Sequence, residues 1–470
     1  MKIVTLAVCS IALFVHSASL VFAADPTRPN IVFILSDDQA WTDYGFMGHP
    51  EIETPNLDLL ARRSAVFTRG YVPTALCRPS LATLLTGQYA HQHRISGNDP
   101  AVLPSMTGPG GRKAEPREYR ELREKLISHI DRHPTLPRML GAVGYRSFQA
   151  GKWWEGNYSR GGFDEGMTRG FPQPGGRHGD DGLKIGREAG MQPVLAFIDR
   201  AAADRIPFFV WYAPLLPHTP HNPPQDLFDK YKAKGVQSDH VARYYAMVEW
   251  FDQTCGQLFE HLDRRGLSDN TLIVYIGDNG WIQDPESNNF APRSKQSPYE
   301  GGVRQPTMFC WPGIIEPGDR GRQLCSSVDI VPTSLAAAGI AVPEELPGYN
   351  LLPVLKSGES TPRQDVFGEG FAHDVADIED PEVSLLYRWV IEGDWKLLLT
   401  YDGQVGRHGE HHQRSELRPQ LYDVKADPHE TENLAAKHAE VVERLAAKLD
   451  DWWPVTRRRV QKAFSVEQTR

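Results

Sequence analysis

Three uninterrupted apolar runs constrain the fold of this chain more than any other feature: IVFILS at 31–36, PFFVWYA at 207–213 and TLIVYI at 271–276. A strand that is apolar throughout, rather than alternating, has both faces covered, which is the condition of a central strand in a parallel sheet. Between 240 and 262, Val241, Tyr245, Val248, Phe251, Cys255, Leu258 and Leu262 recur at three and four residues and predict a core-facing helix. The expectation is an α/β chain with a large, mostly parallel central sheet flanked by helices.

Open α/β sheets bind ligands in the crevice at the carboxyl ends of their strands. The first run ends in Asp37 and Asp38, and the third leads into Asp278 and Asn279. Three carboxylates and an amide make an all-oxygen set suited to a hard cation such as Ca²⁺ or Mg²⁺. A solvated turn carrying two acids is the plain alternative for the first pair.

The stretch LCRPSLATLLTG at 76–87 is the second constraint. Pro79 suits the start of a helix, where its missing N–H would be unpaired anyway. Leu81, Leu84 and Leu85 give that helix an apolar face, and Thr86 and Gly87 close it. Cys77 therefore sits at a helix N-terminus, where unpaired N–H groups and the positive dipole end favour an anion. A buried cysteine at the head of an ordinary helix is the alternative.

This stretch resembles the signature of the type I sulfatases of the alkaline phosphatase superfamily, CxPSR followed by a helix ending in TG. In that family the cysteine is oxidised after translation to formylglycine. The match covers Cys77, Pro79, Ser80, Thr86 and Gly87, while Leu81 stands where the family has an arginine that the modifying enzyme reads. By the same resemblance Asp37, Asp38, Cys77, Asp278 and Asn279 are metal ligands, with calcium the usual metal. Lys152 in GKWW matches a catalytic lysine, His218 in PHTP the histidine that protonates the departing alcohol, and Lys295 the lysine preceding YEGGVR. Trp154 replaces a family histidine credited with accepting a proton, which tryptophan cannot do. His91 and His93, after the TG, are candidates for that step. Arg78, His91, His93, Trp154 and Arg304 are expected around the substrate, with purely structural roles as the alternative.

The resemblance implies an alkaline phosphatase-like fold and a sulfuric ester hydrolase acting on a sulfated carbohydrate or other small sulfate ester. Maturation would require a formylglycine-generating enzyme. Two other readings remain: a phosphoester or phosphonate hydrolase of the same superfamily, and a sulfoglycan-binding protein without turnover, the latter motivated by Leu81 and Trp154.

Residues 1–23 read as a secretory signal, with Lys2, an apolar run and small residues before the cleavage region. Ser10, His16, Ser17 and Ser19 leave that run short of a membrane span, so a secreted or periplasmic protein without stable membrane insertion is expected. The chain has 51 Lys plus Arg against 60 Asp plus Glu, a net charge of −9, which provides no broad basic field for nucleic acid. Setting aside Cys9 and Cys77, the remaining Cys255, Cys310 and Cys325 allow at most one disulfide.

The predicted organisation is a signal at 1–23, a catalytic domain at 24–360 and a subdomain at 361–470, with the polar SGESTP at the boundary. LLYRWVIEGDWKLLLTYDG predicts an antiparallel hairpin, the core of a small C-terminal α+β unit on an antiparallel sheet. Three stretches stay open. REYRELREKLISHIDR is a charged surface helix, either at the pocket rim or simply solvated. The glycine-rich 156–190, with Arg160, Arg169, Arg177 and His178, either recognises substrate or is a surface loop. The loop with His408, His411 and His412 has the same two readings.

Overall fold

The computed structural model describes residues 28–101, 117–187, 190–405 and 417–460. The expected signal and the loop with His408, His411 and His412 lie outside the described residues.

The three apolar runs lie side by side at the centre of one eight-stranded sheet. From edge to edge its order is Gly318–Asp319, Ala65–Phe67, Thr307–Cys310, Thr271–Gly277, Asn30–Ser36, Phe208–Ala213, Arg146–Gly151 and Glu165–Gly166. Only Thr307–Cys310 runs against its neighbours. Ile31 pairs in register with Leu272 on one side and Phe209 on the other. Alternate residues feed two cores. Phe33, Leu35, Trp211 and Val274 face one, with the helices Cys77–Thr86 and Ile330–Ala337. Val32, Ile34, Val210 and Tyr275 face the other, with Asp239–Arg264 and Gln192–Ala203. Both faces of the sheet are thus covered by helices, which is why these strands carry no polar alternation.

The Cys77–Thr86 helix is buried along its whole length, not on one face as its leucine spacing predicts. Its two threonine hydroxyls are hydrogen-bonded, while the buried Ser80 Oγ has no partner among the described residues. Thr83 Oγ1 lies 3.2 Å from His93 Nε2, and Thr86 Oγ1 donates to the Ala82 carbonyl at 2.8 Å. Gly87 ends the helix at φ +71°, its N–H returning to the Thr83 carbonyl at 2.8 Å.

After the Leu352–Ser357 helix the chain builds a four-stranded antiparallel sheet in the order Asp365–Phe371, Leu385–Glu392, Trp395–Thr400, Gln420–Asp423, backed by the Ala439–Trp452 helix. The predicted hairpin forms its middle pair, with Tyr387 opposite Thr400. A buried ion cluster joins this sheet to the larger unit: Lys396 Nζ lies 2.9 Å from Glu300 Oε1 and 3.0 Å from Glu430 Oε1. Cys77, Cys255, Cys310 and Cys325 are all free thiols. Among the described residues no helix is long and apolar enough to cross a membrane.

Candidate active site

The site forms where the sheet's carboxyl edge meets the N-terminus of the Cys77–Thr86 helix. Asp37 and Asp38 leave the Asn30–Ser36 strand, and Asp278 and Asn279 leave Thr271–Gly277 beside it. Asp38 takes φ +64°, a left-handed conformation that costs a non-glycine residue about 1 kcal/mol and recurs at functional sites. The turn lets its N–H donate to Asp278 Oδ1 at 3.0 Å and its Oδ1 accept from Asn279 Nδ2 at 2.7 Å. Cys77 Sγ lies 4.0 Å from Asp37 Oδ1 and 3.8 Å from Asp38 Oδ1.

Two lysines complete the cluster. Lys295 Nζ donates to both oxygens of Asp38 at 2.6 Å. Lys152 Nζ donates to Asp37 Oδ1 at 2.6 Å and lies 3.7 Å from Asp278 Oδ2. Gly151, at φ +89°, makes the turn that aims Lys152 inward; a Cβ there would meet the Ala213 carbonyl oxygen at 1.9 Å. His218 Nε2 approaches Asp38 Oδ2 at 3.4 Å, while its Nδ1 lies 2.6 Å from the Thr219 carbonyl, which holds Nδ1 as the donor. The Asp37 N–H to the Leu216 carbonyl, 3.0 Å, ties that proline-rich turn to the first strand.

The charges here are buried and decide one another. Burial works against ionisation of Asp38, but Lys295, His218 and Lys152 outweigh it and hold its carboxyl below the usual range. Burial, with Asp37 and Asp38 close by, pushes Asp278 up to about 8. Burial also pushes the Cys77 thiol up, and the pull of Lys152 and Lys295 does not offset it. With no metal cation beside it, burial thus outweighs the helix N-terminus and favours the neutral thiol of an unmodified Cys77.

The donor set fits a hard cation. Asp37 Oδ2, Asp278 Oδ2 and Asn279 Oδ1 are buried oxygens without a hydrogen-bond partner, an arrangement that costs stability unless something positive engages them. One ligand atom from each of Asp37, Asp38, Cys77 and His218 also falls within a single 4.8 Å cluster.

Other expected site residues lie elsewhere. His91 Nδ1 pairs with Glu369 at 2.7 Å and its ring stacks on Trp453, so it belongs to the junction with the small sheet. His93 is fully buried, with one ring nitrogen on Thr83 and the other accepting the Ile95 N–H. Neither is brought to the Cys77 cluster. Arg78 makes a buried two-pronged pair with Glu155, at 2.7 and 2.6 Å. Arg304 lies over the Trp41 ring at 3.9 Å and donates to the Thr68 carbonyl. Trp154 stacks on His178, ring centroids 4.1 Å apart. That contact brings a histidine of the glycine-rich loop to the position where the chain lacks one in sequence. Burial, followed by the charges of Lys152 and His218, drives His178 down to about 3.

Carboxylates and lysines gathered at the carboxyl edge of an open, mostly parallel sheet, facing a helix-initiating cysteine, define an alkaline phosphatase-like α/β hydrolase. Comparison with known proteins narrows the class. The sulfatase family model matches residues 29–340, and the model of the N-sulphoglucosamine sulphohydrolase C-terminal region matches 293–453. N-acetylgalactosamine-6-sulfatase of Homo sapiens is 32% identical over 384 residues, covering 73% of this chain and 69% of its own length. The ulvan-active sulfatase of Formosa agariphila is 25% identical, covering 88% and 78%. Among solved structures, Ps i-CgsB in complex with k-i-k-neocarrahexaose superposes with a TM-score of 0.68 at 24% identity, covering 91% and 94%. The chain belongs to the sulfatase family and is a sulfuric ester hydrolase.

Proposed function

We propose that this sulfatase cleaves a sulfate ester on a carbohydrate, using formylglycine derived from Cys77 and a divalent cation, Ca²⁺ or Mg²⁺, held by Asp37, Asp38, Asp278 and Asn279. The observation that carries the reading is the trio of buried oxygens without a hydrogen-bond partner on Asp37, Asp278 and Asn279, with Cys77 Sγ 4.0 Å from Asp37 Oδ1 and 3.8 Å from Asp38 Oδ1. The names of the relatives, an N-acetylgalactosamine-6-sulfatase and an ulvan-active sulfatase, support a sugar substrate. The leader-like residues 1–23 support export to the periplasm or medium.

The hydrated aldehyde and the cation together supply an oxygen nucleophile active near neutral pH and positive charge for the sulfate oxygens. The protein's own groups do the rest. Lys152 and Lys295, preorganised by their carboxylate partners, neutralise charge that develops on the sulfate. His218, with Nδ1 engaged by the Thr219 carbonyl, donates a proton from Nε2 to the departing alcohol oxygen. The low dielectric around these buried groups strengthens each interaction.

The test has two parts. The tryptic peptide spanning 70–94, in which Pro79 protects Arg78 from cleavage, should weigh less than the unmodified form by the cysteine-to-formylglycine difference. Purified protein should release sulfate from 4-nitrophenyl sulfate faster than phosphate from 4-nitrophenyl phosphate. The reverse preference would make it a phosphoester hydrolase. Unmodified cysteine with saturable sulfoglycan binding would make it a binding protein.

A further inference from the structure

A cavity of about 520 Å³ opens beside Trp154, within the range of small-molecule sites. The glycine-rich loop walls one side and the Arg117–Ile127 helix the other. Its relation to the reaction centre is fixed by packing. Trp154 follows Lys152 by two residues, and His178 stacks on it. Farther along the loop, Gly182 lies so close to the strand end that a Cβ would sit 2.3 Å from the Gly151 Cα. The loop is therefore pinned against the turn that carries Lys152.

The lining carries an excess of positive charge. Arg120, Arg123 and Arg177 contribute three guanidiniums, and none has a carboxylate partner among the described residues. Phe171 lies beneath two of them, 4.9 Å from Arg123 and 5.9 Å from Arg120, a contact that orders the guanidinium planes. The Arg177 N–H is fixed by Asp180 Oδ1 at 2.7 Å. Asp99, a carboxylate of the lining, accepts from Tyr119 at 3.2 Å. The buried Trp154 Nε1 in the wall has no hydrogen-bond acceptor.

The adjoining cavity of about 660 Å³ shares Arg120 and Phe171, but its other charges are already spent. There Arg117 pairs with Glu121 at 2.7 Å, Glu124 with Arg160 at 2.7 Å, and Lys125 with Glu379 at 3.2 Å. The contrast singles out the Trp154 side as the place where an anion is missing.

We propose that this cavity is a sugar subsite in which Arg120, Arg123 and Arg177 engage a second acidic substituent, a sulfate or a carboxylate, on a substrate chain whose scissile sulfate lies at position 77. It rests on the sulfatase reading of the Cys77 cluster. The planar forks of arginine match either anion in two-pronged fashion, and the Trp154–His178 stack supplies a flat wall and an unspent donor to the ring between the two anions. His178, neutral at physiological pH, serves as a hydrogen-bonding ring rather than a fourth cation. The substrate is accordingly a polyanionic glycan and not an isolated monosulfate.

The test uses full-length protein with Cys77→Ala, which holds substrate without turnover, and the same protein carrying Arg120→Gln, Arg123→Gln and Arg177→Gln. Calorimetric titrations with chondroitin sulfate, heparin, carrageenan and ulvan oligosaccharides should find at least one that binds the parent at least tenfold more tightly than the triple glutamine protein. A triple lysine protein should recover part of the affinity, and added salt should weaken the parent more steeply than the glutamine protein. Repeating the best case with a carboxyl-reduced and a partly desulfated oligosaccharide assigns the second anion. Arg120 and Arg177 are exposed, and an unchanged melting temperature verifies folding of the variants. Equal binding by parent and triple glutamine proteins, or binding no better than that of neutral dextran, overturns the subsite. Sulfate release from 4-nitrophenyl sulfate by the unsubstituted enzyme is read separately, so loss of the subsite and loss of the sulfatase reading are distinct outcomes.

Discussion

Trp154 and His178 stack face to face, 5° from parallel, although one lies three residues past the end of the Arg146–Gly151 strand and the other in a long loop. The imidazole is held neutral by burial and by the neighbouring Lys152 and His218. Since it ionises far below neutrality, it does not set a limb of the pH profile between about pH 5 and 8. His178→Gln should lower kcat/KM on a sulfated oligosaccharide about three- to tenfold, the worth of one aromatic contact, without moving the profile's inflections. A pH series on both proteins checks this. Disappearance of a limb would instead give His178 the proton-accepting role that Trp154 cannot perform.

His218 is positioned to act on the leaving group, so its importance should track leaving-group basicity. An alkoxide of a sugar needs a proton to depart, whereas 4-nitrophenolate does not. His218→Ala should cost about 10²- to 10⁴-fold in kcat on a sugar sulfate and markedly less on 4-nitrophenyl sulfate. Equal losses on both substrates would assign the residue to sulfate binding instead.

The parts of the site legible in sequence are those encoded by contiguous strings. Asp37, Asp38, Asp278 and Asn279 each follow an apolar run, and a run that must be a central strand fixes where its end lies. Lys152, His218 and Lys295 sit in short motifs of the same kind. The illegible parts depend on partners far away in the chain. His91 lies 278 positions from Glu369, and that ion pair, not any local pattern, takes it out of the site. Arg78 is buried because Glu155 meets it, and the Cys77–Thr86 helix is covered all round because other elements pack on what its spacing marks as an exposed face. The charged 117–132 stretch carries an i,i+4 pair as its spacing predicts, but only the fold brings Arg120 and Arg123 to Trp154.

Metal uptake should release protons. Asp278 is pushed up to about 8 without a cation, so below that pH its carboxyl is largely protonated, and binding a dication requires the ionised form. Affinity for Ca²⁺ should therefore rise as pH increases from about 6 to about 8 and level off above it. Titrations in buffers of different ionisation enthalpy count the protons released. Chelation should abolish sulfate release and lower the melting temperature, and Ca²⁺ at about a hundred times its Kd should restore about 2.7 kcal/mol. A pH-independent affinity would mean that Asp278 is not a ligand.

Lys396 is fully buried between Glu300 and Glu430, where the small sheet meets the loop that carries Lys295. Burial, only partly offset by Lys396, pushes Glu430 up to about 7. Lys396 is the cation shared by both carboxylates, while Arg304, 3.7 Å from Glu300 Oε2, reaches only Glu300. Lys396→Met strands Glu430 in a dry junction, leaves Glu300 only Arg304, and should cost about 3–5 kcal/mol in urea unfolding. Adding Glu300→Gln and Glu430→Gln removes the stranded charges. Each amide oxygen can still accept, from Tyr71 Oη at 3.1 Å in one case and the residue 300 N–H at 2.6 Å in the other. The triple variant should recover more than half of the loss, because the penalty lies in uncompensated charge rather than in missing packing. If the triple variant is no more stable than Lys396→Met alone, the lysine's stem and its contact with Trp389, and not its charge, hold the two units together.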